Sequence, residues 1–305
     1  MRSIVVDMIT LEHLTKRYGR YAAVDDVSFI CEQGTVTGFL GPNGAGKSTT
    51  LRMITGLTLP TSGRVTIDST PYTDLPNPGR MVGVMLDASA QHPGRTGIET
   101  LRLSAMLLGL PTAYAADMLD KVGLGDVGKR RVGNYSLGMR QRLGIGSALM
   151  GDPAVLILDE PANGMDPEGI RWMRHLLHDF AGRGGTVLLS SHLLGEVQAT
   201  VDRLVVIGKG RIVADGNLGT LLAAQGIVAR GLDPAGLLAA IQRAGLAAET
   251  VDGGSLRVQA TAEQVGRAAA AANQVLIELR EHDNASLEDL FFDLTSSADD
   301  PTIAA

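Results

Sequence analysis

The sequence is poor in aromatic residues, has one cysteine and contains no long apolar run. Aromatic residues make up 4% of its 305 residues, so its core must be built from aliphatic side chains and methionine. The single cysteine, Cys31, cannot form an internal disulfide, and we expect it to be a small apolar residue of a cytosolic protein. No apolar stretch reaches the roughly 18–20 residues that cross a bilayer, so a membrane function requires a span on another chain.

A surplus of basic residues is also missing. The formal net charge is -6, which leaves no basic surface excess to attract phosphate backbones, and we expect no nucleic-acid partner. The N-terminal segment MRSIVVDMITLEH lacks a long apolar region and a small-residue cleavage site, so we do not expect a secretory signal.

The length and a change in pattern predict two domains. We place an α/β domain at 1–219 and a smaller α+β domain at 220–295, and we expect residues 296–305 to be a disordered tail. In the smaller domain the patterns predict the order β-α-β-β-α-β, which is the ferredoxin-like split motif. Ser286 and Asp289 resemble a capping box for a last helix.

The first domain begins with short strands joined by a polar turn that we place at Lys16 to Tyr21. Alternation of apolar and polar residues around Val27 and Phe29 is typical of a half-buried antiparallel strand. Farther along, leucines and methionines recur at helical spacing, which predicts a helical subdomain at about 88–150.

Two apolar runs in the same domain predict buried parallel strands, AVLILDE (154–160) and TVLLSSH (186–192). The pattern between them predicts a helix from Pro167 to Ala181. The segment RLVVIGKGRIVADG (203–216) predicts a hairpin. We therefore expect a mixed sheet with helices packed against it.

A glycine-rich loop carries the most specific chemical signal. GPNGAGKS, Gly41 to Ser48, matches G-x-x-x-x-G-K-[ST] between a predicted strand and a predicted helix. Its backbone N–H groups and the helix N-terminus can cradle phosphates, the lysine reaches the β- and γ-phosphates, and the serine hydroxyl binds Mg²⁺. The predicted Mg·ATP contacts are Gly41, Asn43, Gly44, Gly46, Lys47, Ser48 and Thr49. The loop alone does not separate transporters from GTPases, kinases or helicases.

Two further segments have weaker signals. Asp159 and Glu160 end an apolar strand, where one carboxylate can hold Mg²⁺ and the next can orient or deprotonate a water. Their competing interpretation is a pair of solvated carboxylates that begins a turn. YSLGMRQRL contains S-x-G at Ser136 to Gly138, which by itself is equally typical of a helix N-cap.

In this order the motifs resemble the ATP-binding cassette (ABC) family of ATPases over about residues 8–218. GPNGAGKS is similar to the family's Walker A loop, YSLGM stands where the family has its LSGGQ signature, and LILDEP is similar to its Walker B strand. The resemblance implies an α/β P-loop core with a mixed sheet, an antiparallel β subdomain and a helical subdomain.

The resemblance also implies individual roles. Asp159 would serve Mg²⁺ and Glu160 would be the catalytic base. His192 looks like the switch histidine that contacts the γ-phosphate, and Tyr18 looks like the aromatic residue that stacks on adenine. GMD, ending at Asp166, looks like the D-loop. An N-cap role for Asp166, ahead of a proline, is compatible with this.

Two departures from the family pattern stand out. Leu137 and Met139 replace Gly and Gln of the signature, while Ser136 and Gly138 keep a hydroxyl and a close backbone approach for a γ-phosphate. At the end of VGVMLD, Asp87 stands where the family has its Q-loop glutamine, which would make it a ligand of Mg²⁺ or its water. Gln91 is the alternative for this role.

A single cassette implies a head-to-tail dimer of two copies with two ATP molecules between them, and a separate transmembrane permease subunit. The chain would then lie in the cytoplasm, peripherally on the inner face of the membrane. SLGMRQRL, LDASAQHPGRTG and the C-terminal extension look like the branch with bacitracin- and daunorubicin-resistance export ATPases. The expected cargo is a drug, antibiotic, peptide or lipid-like compound. An importer is the alternative, and an ABC ATPase that acts on ribosomes or DNA is a more distant one.

Overall fold

The computed structural model describes residues 7–223, 227–251, 254–258 and 260–281, together with Leu287 and Phe291. The chain divides after Gly216 into two compact units, close to the boundary predicted at Gly219. The predicted capping box at Ser286 and Asp289 and the predicted tail 296–305 lie outside the described residues. In the described part of the chain, no helix has both the length and the hydropathy of a membrane span.

The first unit alternates strands and helices. Its strands are β1 (Asp7–Tyr18), β2 (Tyr21–Glu32), β3 (Val36–Leu40), β4 (Ser62–Ile67), β5 (Val82–Met85), β6 (Val155–Asp159), β7 (Thr186–Ser190), β8 (Arg203–Gly208) and β9 (Arg211–Asn217). Its helices are α1 (Lys47–Ile54), α2 (Pro78–Met81), α3 (Gly97–Leu107), α4 (Tyr114–Lys121), α5 (Leu137–Leu149), α6 (Pro167–Gly182) and α7 (Leu194–Gln198).

A central sheet with the order β5-β6-β7-β3-β8-β9 organises this unit. The pairs β5/β6, β6/β7, β7/β3 and β3/β8 are parallel, and β3 and β7 are buried along their whole length. Continuous apolar runs are typical of parallel strands covered on both faces, so the two predicted parallel strands are confirmed. Because β6, β7 and β3 are neighbours, the loops at their carboxyl ends share one edge of the sheet.

An antiparallel sheet with the order β2-β1-β4 forms the predicted β subdomain. The turn placed at Lys16 to Tyr21 is shorter than predicted, because Tyr18 still pairs with Tyr21 and Gly19 turns the chain with φ 59°. Cys31 is fully buried on β2, and burial raises the pKa of its thiol to about 12. The thiol is therefore neutral, as expected of a small apolar residue.

Helices α3, α4 and α5 pack around a second apolar core that includes Leu101, Leu119 and Leu143. A capping box at Thr96 and Glu99 begins α3, with each side chain accepting from the other residue's backbone N–H. These helices confirm the predicted helical stretch, and their leucine and methionine stripes are core packing.

The second unit contains α8 (Leu218–Ala223), β10 (Ile227–Gly231), α9 (Pro234–Arg243), β11 (Ala248–Thr250), β12 (Leu256–Val258), α10 (Ala262–Ala271) and β13 (Leu276–Glu281). The predicted order β-α-β-β-α-β is present after α8. The sheet order is β11-β12-β10-β13 and each neighbouring pair is antiparallel, as in the split motif. Its core, which includes Ile227, Ile241 and Val265, is separate from the cores of the first unit.

Candidate functional site

The glycine-rich loop lies between β3 and α1, at the shared edge of the central sheet. Gly46 has φ 112°, and a Cβ atom there would come within 2.5 Å of the Ala23 carbonyl oxygen, so only glycine fits. The loop and the N-terminus of α1 line one open cleft of about 420 Å³. That geometry suits a chain of phosphates.

Lys47 lies at the base of this cleft with 8% of its surface exposed. Its Nζ donates to the Gly41 carbonyl at 2.5 Å and to the Pro42 carbonyl at 3.2 Å. Burial lowers the pKa of Lys47, and the charges of Glu160 and Asp159 oppose that change. Carbonyl groups compensate a desolvated ammonium incompletely, so an anionic phosphate would be a better partner.

Ser48 and Asp159 bring oxygen atoms together beside the lysine. The Ser48 hydroxyl donates to Asp159 Oδ2 at 3.0 Å, which connects α1 to the end of β6. Ser190, at the end of β7, donates to the other Asp159 oxygen. The Asp159 carboxylate at the end of β6 is thus held by one residue of α1 and one residue of β7.

Glu160 has an unusual backbone conformation and pairs with His192. Its φ is 50°, a left-handed conformation that costs a non-glycine residue about 1–2 kcal/mol. Its backbone N–H donates to the Ser190 carbonyl at 3.2 Å, which anchors the residue. Glu160 Oε2 lies 2.7 Å from His192 Nδ1 and accepts from the His192 backbone N–H at 3.2 Å. The two side chains predicted to act on the γ-phosphate side therefore touch each other.

Two tyrosines form the mouth of the cleft. Tyr18 and Tyr21 pair across the β1–β2 hairpin, line the cleft and are 54% and 61% exposed. Lys16 Nζ lies 5.2 Å from the centroid of the Tyr18 ring. An exposed ring at this position can stack on a purine, as predicted for Tyr18, while Tyr21 and neighbouring Ala23 were not predicted as lining residues.

The signature segment lies elsewhere on the chain's surface. Ser136 is exposed and caps α5, accepting from the Met139 N–H at 3.2 Å, and Asp166 caps α6, accepting from Gly169 N–H at 2.7 Å. Gly164 packs against the Leu137 side chain so closely that any Cβ would clash. The predicted signature and D-loop residues are thus neighbours. The phosphate cleft is not lined by any of Ser136, Gly138 and Asp166.

The two Q-loop candidates also lie outside the lining of the cleft. Asp87 is exposed after β5. Gln91 is half-buried, and its Nε2 donates to the Arg140 carbonyl on α5 at 3.0 Å. The Mg²⁺ role of Asp87 stays a prediction.

Besides Tyr21 and Ala23, two further residues of the site were missed from the sequence. Ser190 is the last residue of the apolar run that forms β7, so the sequence could have indicated its position at the edge of the sheet. Gln141 is 4% exposed on α5 and donates to backbone carbonyls of the Glu160 segment, a contact that no local pattern indicates.

Comparison with known proteins gives a consistent picture. The family model described as "ABC transporter" matches residues 24–163. The chain is 41% identical to the bacitracin transport ATP-binding protein BcrA of Bacillus licheniformis, over 68% of this chain and 69% of that protein. It is 36% identical to the lantibiotic transport ATP-binding protein SrtF of Streptococcus pyogenes, over 68% of this chain and 90% of that protein.

Solved structures agree with these relatives. An ATP-binding subunit of an ABC transporter superimposes with a TM-score of 0.65 at 29% identity, covering 70% of this chain and 91% of that one. A nucleotide-free ATP-binding cassette superimposes with a TM-score of 0.61 at 26% identity, covering 69% and 91%. A dimeric cassette bound to ADP and phosphate shares the fold, with a TM-score of 0.63 at 23% identity over 69% and 99%.

Proposed function

The chain belongs to the ABC transporter family as an ATP-binding, ATP-hydrolysing subunit, and on that premise we propose that it energises export through a separate membrane permease. The cargo we propose is an antibiotic, peptide or lipid-like compound, because relatives are named for bacitracin and lantibiotic transport. Within this proposal the chain lies in the cytoplasm, against the inner face of the membrane.

One observation carries the mechanism: in a single chain the signature residues lie outside the phosphate cleft. It contains the loop around Lys47 with Asp159 and Glu160, whereas Ser136 and Gly138 lie outside its lining. In a head-to-tail dimer, the exposed signature face of a second copy would complete each cleft. Such a dimer closes when ATP binds the closed state better than the open state, and it opens after hydrolysis.

The residues at the cleft fit Mg²⁺. Mg²⁺ prefers carboxylate, hydroxyl and phosphate oxygens, and Ser48 Oγ and Asp159 Oδ2 already converge at 3.0 Å. We propose that these two residues hold the ion, which when bound neutralises charge on the phosphates. Lys47 would exchange its two carbonyl partners for phosphate oxygens.

Glu160 and His192 would act on the water that attacks the γ-phosphate. The Glu160 carboxylate would accept a proton from that water, while the water oxygen forms the new bond to phosphorus and the bond from phosphorus to the bridging β-phosphate oxygen breaks. His192 would hold the carboxylate through Nδ1, at 2.7 Å, and leave its other ring nitrogen to face the γ-phosphate. Glu160 and His192 would then act together on the attacking water.

The shared site can be tested by mixing two inactive variants. A chain with Lys47→Ala has a defective phosphate loop but an intact signature face. A chain with Ser136→Arg has an intact phosphate loop but offers its partner a blocked signature face. Each variant alone should lose nearly all hydrolysis. An equal mixture should regain about a quarter of wild-type turnover, because random pairing puts one intact site into half of the dimers. ATPase assays of the mixture measure this, and no recovery at any ratio would count against a shared site.

Replacing His192 with alanine should lower turnover about 10²-fold, because Glu160 loses the group that positions it. ATP binding should change little, since the cleft residues around Lys47 remain. His178→Ala, at an exposed position on α6, is the matched control and should keep wild-type turnover. Equal loss of binding and turnover in the His192 variant would contradict the assigned role.

The proposed partner and direction have their own test. Affinity purification of the chain from membranes in its native host should recover a permease, and cells lacking the chain should accumulate the exported compound. Recovery of a permease together with a solute-binding protein would favour import instead.

A further inference from the structure

Gln141 is a buried polar side chain on α5 with a defined set of partners. It is 4% exposed. Its Nε2 donates to the Glu160 carbonyl at 3.2 Å and to the Asn163 carbonyl at 3.2 Å. Its Oε1 is buried and has no hydrogen-bond partner among the described residues. The side chain is therefore held here by its two amide donors, since burying the acceptor is unfavourable.

Those two carbonyls belong to one turn that begins at the proposed catalytic base. The Asn163 N–H donates to the Glu160 carbonyl at 3.2 Å, which closes the turn. A primary amide has two N–H groups, so one glutamine can hold both ends of the turn at once. The N–H of Glu160 itself donates to the Ser190 carbonyl at 3.2 Å. The left-handed backbone of Glu160, with φ 50°, is thus fixed through both of its peptide groups.

The helix that carries Gln141 also carries the signature residues. Ser136 caps α5, and Gly138 lies near the Gly164 carbonyl, in the segment that follows Asn163. One rigid helix therefore connects the face proposed to meet the partner's nucleotide with the backbone of Glu160 in the same chain.

We propose that Gln141 is a positioning residue for hydrolysis: it ties the backbone of Glu160 to the signature helix of the same chain and so holds the base in place. The role rests on the function proposed above for Glu160 as the base. Gln141 does not line the phosphate cleft. It acts through Glu160, whose carboxylate must lie within hydrogen-bond reach of the attacking water.

The direct test is Gln141→Met in the full-length protein. Methionine has a similar length and volume and removes both donors together with the unpartnered acceptor. We expect kcat for ATP hydrolysis to fall ~10- to 10²-fold, because a misplacement of about 1 Å has effects of this size. KM for ATP should change less than about threefold, since the phosphate loop is intact. An unchanged kcat, or a loss that resides in KM, would overturn the proposal.

Thr186→Val is the matched control for loss of a buried polar side chain. Thr186 is fully buried at the opposite end of β7 from Ser190, and its hydroxyl donates to the Glu32 carbonyl at 3.5 Å. This variant should keep wild-type kcat. Thermal unfolding of both variants shows whether any difference in kcat follows from lost stability.

Mixed dimers separate the proposed role from a general effect on the fold. One chain carries Lys47→Ala, so only the cleft of the other chain is active. Gln141→Met is then placed either on the chain with the active cleft or on its Lys47→Ala partner, which supplies the signature face. We expect low turnover in the first arrangement and turnover near the dimer without the Gln141 change in the second. Equal turnover in both arrangements would overturn the role through Glu160, because both dimers contain the same substitutions.

Failure of the shared site would look different. A chain that hydrolyses ATP at full rate as a monomer would contradict the proposed dimer. The kcat of Gln141→Met in that monomer would still decide whether Gln141 positions Glu160.

Discussion

Replacing Glu160 with glutamine should leave ATP bound but slow its hydrolysis by ~10²–10⁴-fold, the usual contribution of a positioned general base. In the proposed mechanism the carboxylate takes a proton from the attacking water, and an amide of the same shape cannot do so. Nucleotide affinity should remain, because the loop, Lys47 and Ser48 are unchanged. Single-turnover hydrolysis and an equilibrium binding titration measure the two quantities separately.

The same substitution should also trap the ATP-bound dimer. If opening follows hydrolysis, a chain that binds ATP without cleaving it stays closed, and size-exclusion chromatography with ATP should show the dimer. Glu263→Gln makes the same chemical change at an exposed position on α10 and should behave as wild type. Wild-type turnover in the Glu160 variant would remove Glu160 from the mechanism.

Replacing Lys47 with alanine should weaken ATP binding itself by ~10²-fold or more, because charge-assisted hydrogen bonds to phosphate contribute about 1.5–3 kcal/mol each. The lysine is almost buried at the base of the cleft, and burial already lowers its pKa. Its cation is therefore poorly compensated until phosphate arrives. Isothermal titration with ATP and Mg²⁺ measures the affinity.

Lys121→Ala is the control for this experiment, because Lys121 is an exposed lysine in the last turn of α4. It should bind ATP as the wild type does. Equal affinity of the Lys47 variant and this control would rule out the Walker A assignment.

The two variants should separate binding from chemistry. Lys47→Ala should impair ATP binding, whereas Glu160→Gln should impair the hydrolysis of ATP that is already bound. Gln141→Met should resemble a weaker Glu160→Gln, with binding kept and kcat reduced. A Gln141 variant that behaved like Lys47→Ala would indicate damage to the cleft rather than to the position of the base.

The order of the motifs was enough to predict a large part of this protein's fold. GPNGAGKS, LILDEP and the strand before His192 carry the family resemblance that implied a P-loop core, and the apolar runs at 154–160 and 186–192 predicted parallel strands. Local patterns succeed here because a parallel strand buried on both faces leaves a continuous apolar run. The element order of the second unit was predictable for a related reason: apolar residues recur at different spacings in strands and in helices.

Tertiary structure decided which side chains meet. The β6-β7-β3 order brings Asp159, Ser190 and the phosphate loop to one edge, and sheet order is set by contacts far apart in the sequence. The left-handed backbone of Glu160 and its link to Gln141 depend on packing between α5 and the end of β6.

The sequence by itself determined the phosphate loop, the carboxylates and the family resemblance, because each lies within one short segment. Only the fold decided that the signature face lies outside the phosphate cleft of its own chain. That separation depends on where α5 packs, and α5 is positioned by an apolar core that joins Leu143 of the motif to Leu101 and Leu119 on α3 and α4, far from it in the sequence.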